Sequence, residues 1–198
     1  MKNKTVFVDI DTQFDFMNPK GTLYVPDAED IIDNIKKLFD YAKENKIKIL
    51  SSIDAHKVDD PEFQTFPSHC VKGTPGNQKV DGTTCKDSIV FENKRHDINQ
   101  TVLNHDQIIV EKQSFDIFDN IDTDKIIINL DASNYVVFGV ATDYCVKDAV
   151  LGLLRRGYKV SLVTDAIKAV NKEGEREALK EMKDAGAVFI TTEDITKV

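Results

Sequence analysis

Cys145 has the clearest chemical setting in this sequence. It closes Gly139-Val140-Ala141-Thr142-Asp143-Tyr144-Cys145, where an apolar, strand-like run from Tyr135 to Val140 passes through a short polar turn into a helix-patterned segment. A thiol at such a junction faces the positive end of the helix dipole and unpaired backbone N–H groups, which favour a thiolate and can hold an oxyanion. The N–H groups of Ala141 and of Cys145 itself are the candidate oxyanion donors. Cys70 and Cys85 lack such a setting and read as small buried hydrophobes.

A thiol nucleophile needs a base. Of the four histidines, His96 and His105 lie in a poorly patterned middle region, and His56 and His69 have another use, so a carboxylate is the better candidate. Asp11, in Asp9-Ile10-Asp11-Thr12-Gln13-Phe14-Asp15-Phe16, follows the first strand-like run. Alone it would read as a loop or capping aspartate, and Lys112, ending Ile109-Val110-Glu111-Lys112, as an exposed strand-end lysine. Beside Cys145, a Lys112 cation would stabilise both carboxylate and thiolate. Asp54-Ala55-His56 and Phe66-Pro67-Ser68-His69 offer one oxygen and two imidazoles, three ligands with open positions, as in a catalytic metal site. Zinc fits this donor set, iron and manganese are compatible with it, and Glu62 is available as a fourth ligand without being required.

The elements that must position these groups alternate. Strand-like runs cover Thr5 to Ile10, Ile47 to Ser51, Gln107 to Glu111, Tyr135 to Val140, Lys159 to Val163 and Ala187 to Thr191. Helical stripes fall at Ile31 to Ala42 with Asp27 as N-cap, at Val146 to Leu154 ending at Gly157, at Lys172 to Ala185 ending at Gly186, and, on a β-branched stretch, at Asp124 to Asp131. This predicts an α/β fold, three-layer and doubly wound, with a six-stranded, mainly parallel sheet covered by helices on both faces. Asp11, Asp54, Lys112 and Cys145 then all fall at carboxyl ends of strands, the edge where such sheets bind ligands. The stretch from Ile53 to Asp106 shows little regular pattern, and long segments of that kind are usually functional.

With 198 residues, 41% of them hydrophobic, the chain reads as a single domain over residues 1–198. A net charge of −8 disfavours nucleic acid and anionic membrane as partners and leaves a small neutral molecule compatible. Three cysteines without C-x-x-C spacing indicate neither a disulfide framework nor a cysteine zinc site. The Met1-Lys2-Asn3-Lys4 start lacks the apolar stretch of a secretory signal, and no apolar run nears the ~20 residues of a membrane span, so a cytoplasmic protein is expected.

Taken together, these motifs resemble the nicotinamidase branch of the isochorismatase-like cysteine hydrolases. Asp11-Thr12-Gln13-Phe14-Asp15-Phe16 matches D-x-Q-x-D-F, Asp54-Ala55-His56 matches D-x-H, His69-Cys70-Val71 with Gly73-Thr74-Pro75-Gly76 matches H-C-V-x-G-T-P-G, and Gly139 to Cys145 matches G-V-A-T-x-x-C. The resemblance implies the isochorismatase-like hydrolase fold, a catalytic triad of Asp11, Lys112 and Cys145, a divalent metal on Asp54, His56 and His69, and a cis peptide between Val140 and Ala141 that aims the Ala141 N–H at the oxyanion. Phe16, Phe66, Val140 and Ala141 would line the substrate pocket; Tyr144 reads equally as pocket or core. The implied reaction is hydrolysis of nicotinamide to nicotinic acid and ammonia through a Cys145 thioester, in pyridine-nucleotide salvage, with the metal as template. A homo-oligomer is compatible with this reading. Its rivals are a metal-free cysteine amidase acting on another small amide, against which Asp54, His56 and His69 speak, and a non-catalytic nucleotide-binding protein. The second would want a Gly-rich phosphate loop where Asp9-Ile10-Asp11 stands.

Overall fold

Apolar runs with helical stripes between them do build a parallel sheet, one strand larger than predicted. The structure, a computed structural model, describes residues 4–197, so Met1-Lys2-Asn3 and Val198 lie outside it. Among the described residues the strands are β1 (Thr5–Ile10), β2 (Lys48–Asp54), β3 (Ser88–Phe91), β4 (Gln107–Lys112), β5 (Asn134–Val140), β6 (Lys159–Lys168) and β7 (Val188–Ile190). Their order is β3-β4-β2-β1-β5-β6-β7, and every neighbouring pair is parallel.

The added strand, β3, lies in the stretch predicted to lack pattern. Its four residues, Ser88-Ile89-Val90-Phe91, are too few to show a period, and as an edge strand it pairs only with β4. β2 and β6 also outrun their predicted ends at Ser51 and Val163. Polar residues enter both strands there, yet the ladder continues, to Asp54↔Lys112 in β2 and β4 and, after a register shift, to Val140↔Lys168 in β5 and β6.

The helices are α1 (Phe14–Met17), α2 (Ile32–Glu44), α3 (Thr123–Leu130), α4 (Lys147–Arg155), α5 (Lys172–Asp184) and α6 (Thr192–Thr196). Alternation along β1 sends Val6, Val8 and Ile10 into one core layer with Ile126 of α3, Val150 of α4 and Met182 of α5. Phe7 enters the opposite layer with Ile35, Leu38 and Phe39 of α2, against which α6 also packs. Gly157 and Gly186, at φ +82° and +105°, end α4 and α5 as predicted. Asp27 does not cap α2. It sits in the left-handed region without a capping side-chain bond, and a 3-10 turn, Ala28–Ile31, intervenes before the helix begins.

From β1 the chain moves outward to β2 on one side, and from β5 it moves to β6 and β7 on the other, so the order reverses at the β1–β5 pair and its carboxyl edge is the crevice of the fold. Gly139 lets the two strands meet there. Its φ is +120°, and a Cβ at this position would lie 2.1 Å from the Ile10 carbonyl oxygen, so only glycine fits. One residue further on, the Val140–Ala141 peptide is cis, as the resemblance implied.

Candidate active site

Four neighbouring strands, β4, β2, β1 and β5, deliver the predicted groups to one place. Lys112 and Asp54 are the last residues of β4 and β2 and face each other in register. Asp11 follows β1 directly, and Cys145 lies five residues beyond β5. Far from being an exposed strand end, Lys112 is fully buried. Its ammonium lies 2.8 Å from Asp11 Oδ2, contacts Asp54 Oδ1, donates to the Ser114 carbonyl at 2.8 Å, and reaches Cys145 Sγ at 3.6 Å. Ser52, two residues before Asp54 and thus on the same face of β2, donates its hydroxyl to Asp11 Oδ1 at 2.6 Å.

Burial sets the protonation chemistry. It pushes the Asp11 carboxyl above the ordinary range, with Asp54 adding to the rise and Lys112 opposing it. Burial likewise pushes the Cys145 thiol well up; Lys112 pulls down, while Asp11 and Asp54 push further up. Burial thus works against the thiolate that the helix dipole favours. Cys145 lies inside a π-turn, Thr142–Val146, that precedes α4, where the N–H groups of Tyr144 and Val146 both donate to the Ala141 carbonyl. Burial disfavours charge on Lys112 as well, but the two carboxylates outweigh it and keep the ammonium charged.

Beside these groups, Asp54 Oδ2 lies 3.7 Å from His56 Nε2 and 3.7 Å from His69 Nε2. The three donor atoms lie close enough to share one ion. The chemistry of the set fits a divalent metal. His69 Nδ1 is engaged by the Pro67 carbonyl at 2.8 Å, leaving Nε2 for a ligand, and buried His56 Nε2 has no hydrogen-bond partner. Burial works against a charged His56, but Asp54, Asp60 and Glu62 outweigh it and raise its pKa, so the spot favours positive charge. Glu62, left open by the sequence, brings Oε2 to 3.6 Å from His56 Nε2, and Asp60 brings Oδ2 to 3.1 Å from His56 Nδ1. Asp60 had not been singled out; its spacing of four from His56, on a 3-10 turn, carried no signal.

A cavity of about 100 Å³ opens onto Asp11, Asp54, His69 and Cys145, and Phe16, Phe66, Val140 and Ala141 all line it. Tyr144 belongs to its mouth rather than to the core, with its ring 5.2 Å from that of Phe115. Phe115 and Val170 were not anticipated, because they come from loops that only the fold brings to the site.

The isochorismatase domain family matches residues 5–194. The chain belongs to that family. Within it the chain sides with the nicotinamidase branch. It is 28% identical to a nicotinamidase of Escherichia coli, over 93% of each chain, and 25% identical to a nicotinamidase of Saccharomyces cerevisiae, over 87% of this chain and 91% of the relative. A pyrazinamidase of Pyrococcus horikoshii, solved in complex with zinc, superposes with a TM-score of 0.79 at 29% identity, covering 95% of this chain and 99% of the other. Among the described residues, no helix of this family member is long and apolar enough to cross a membrane.

Proposed function

We propose that this hydrolase is a metal-dependent nicotinamidase, converting nicotinamide and water to nicotinic acid and ammonia in pyridine-nucleotide salvage. The observation that carries the reading is the buried Lys112 ammonium in simultaneous contact with Asp11, Asp54 and Cys145. In this reading Cys145 gives its proton to Asp11 as the sulfur attacks the carboxamide carbon. The raised Asp11 pKa makes it a stronger base than an ordinary aspartate, which suits a thiol whose own proton is held tightly. The N–H groups of Ala141 and Cys145 receive the oxyanion. The proton on Asp11 leaves with ammonia, and a thioester remains. Asp11 then takes a proton from the attacking water, and the acid departs as the thiol is restored. Lys112 holds Asp11 in place and offsets its charge.

Asp54, His56 and His69 would hold the divalent ion, with zinc the first choice and iron or manganese the alternatives. The ion would supply a Lewis-acidic anchor for a heteroaromatic nitrogen or for water. Charge balance supports it, since Asp11 and Asp54 face one buried ammonium and leave a buried negative excess. Phe16 and Phe66 would flank the ring. A cavity this small is well below the ~300–1,000 Å³ of drug-sized ligands, so a single-ring amide suits it. The half-exposed mouth at Tyr144 and Phe115 supports a second reading, another small amide with a larger apolar group.

The test is ammonia release from a panel of nicotinamide and other small amides. Nicotinamide should be turned over best, with activity falling to background in Cys145→Ala and by ~10²–10⁴-fold in Asp11→Asn. Normal turnover by folded Cys145→Ala would eliminate the proposed nucleophile.

A further inference from the structure

Two side chains just beyond β1 have no part in the chemistry above, yet both are buried, one ending on the backbone of a metal-donor residue and the other on the residue next to one. Gln13 is fully buried. Its Oε1 accepts from the Asp54 N–H at 2.7 Å, while its Nε2 donates to the Asp54 carbonyl at 2.8 Å and to the Asn77 carbonyl at 2.9 Å. One amide thus grips Asp54 by both backbone groups. Asn77 adds a third bond, from Nδ2 to the same Asp54 carbonyl at 2.7 Å.

Asp15 reaches the other donors. Its Oδ2 accepts from the Cys70 N–H at 2.7 Å, directly after His69, and its Oδ1 accepts from the Thr22 N–H at 3.1 Å. Cys70 sits at φ +45°, a conformation that needs outside support in a residue with a side chain. Its carbonyl accepts from the His56 N–H at 3.2 Å, and the His56 carbonyl accepts from the Lys72 N–H at 3.0 Å. The Cys70 residue therefore ties Asp15 to the backbone of both histidines. Gly76 clears the space, since a Cβ there would lie 2.0 Å from Asp15 Oδ2.

We propose that Gln13 and Asp15 are positioning residues for the metal donors, Gln13 setting Asp54 and Asp15 setting His69 and His56 through the Cys70 peptide. The turn that carries Asp11 then also fixes the geometry of the neighbouring metal group, which explains why glutamine and aspartate follow Asp11 at spacings of two and four. This inference rests on a metal binding at Asp54, His56 and His69.

Zn²⁺ affinity of the folded, chelator-stripped protein tests it, by competition with a chromophoric chelator, alongside circular dichroism and thermal unfolding without metal. Wild-type protein should bind one equivalent. Gln13→Met and Asp15→Ala should each bind ~10–100-fold more weakly, the loss typical when groups that orient metal ligands are removed. Leu38→Ala, which opens a cavity in the α2 layer, shows what destabilisation alone does and should leave affinity unchanged. Should Gln13→Met or Asp15→Ala fail to fold, Asn77→Ala, at a half-buried position, should still weaken binding severalfold. Wild-type affinity in the variants, or a loss no larger than that of Leu38→Ala, overturns the positioning role and leaves the metal site standing. Failure of wild-type protein to bind Zn²⁺, Mn²⁺ or Fe²⁺ overturns the metal site itself.

Discussion

At the scale of single residues, the site is governed by a shortage of positive charge in a buried space. Asp11 and Asp54 share the Lys112 ammonium, and burial holds Asp11 above the ordinary carboxyl range. A base must be ionised to accept a proton, so activity should fall as pH drops through the raised Asp11 pKa, at higher pH than a free aspartate would give. The Ser52 hydroxyl donates to the Asp11 carboxylate and favours its charged form, lowering that pKa. Removing the hydroxyl in Ser52→Ala must therefore raise it further. The acid limb of kcat/KM should move to higher pH in this variant, and an unmoved limb would remove Asp11 as the titrating base. The types of these residues and their places after strand-like runs were legible in the sequence. The burial that pushes the Cys145 thiol up was not, because only packing reveals it.

At the scale of elements, strand ends do the positioning. Asp54 and Lys112 meet because they are register partners, and Asp11 meets them because β1 lies next to β2. The contact of β1 with β5 depends on Gly139. Gly139→Ala should lower stability by about 3 kcal/mol, the upper end of ordinary point substitutions, since the new Cβ meets the Ile10 backbone rather than a side chain that could move. Urea unfolding measures this, and a loss below ~1 kcal/mol would show that β1 and β5 can part without cost. The strands that carry site residues could be read because each is an apolar run. Edge strand β3 could not: four residues of mixed burial between charged neighbours carry no period, and only pairing with β4 makes them a strand.

For the whole molecule, the donor cluster ties the end of β2 to the connection that follows it, with β2 supplying Asp54 and the connection to β3 supplying His56 and His69. A bound ion would therefore close a loop and stabilise the folded state over the unfolded one. At a free Zn²⁺ concentration of 100 times Kd the gain is about 2.7 kcal/mol. In a chain of this size that should raise Tm by roughly 5–10 °C, as calorimetry on stripped and reloaded protein would register. An unchanged Tm at saturating Zn²⁺ would count against the site.

Amino-acid order was enough to give the class of fold and the strands that end at the site, and to single out Asp54, His56, His69 and Cys145 as candidates, because each depends on local periodicity or on a motif of fixed spacing. Tertiary structure alone decided that Lys112 is buried, that Cys145 is buried inside a π-turn where burial pushes its thiol up, that Asp60 and Phe115 lie beside the site, and that Gln13 grips the Asp54 backbone while Asp15 holds the Cys70 N–H. The reason is the same in each case. Burial, proton affinity and contacts between distant segments are properties of what surrounds a side chain, and those surroundings exist only after the strands have paired.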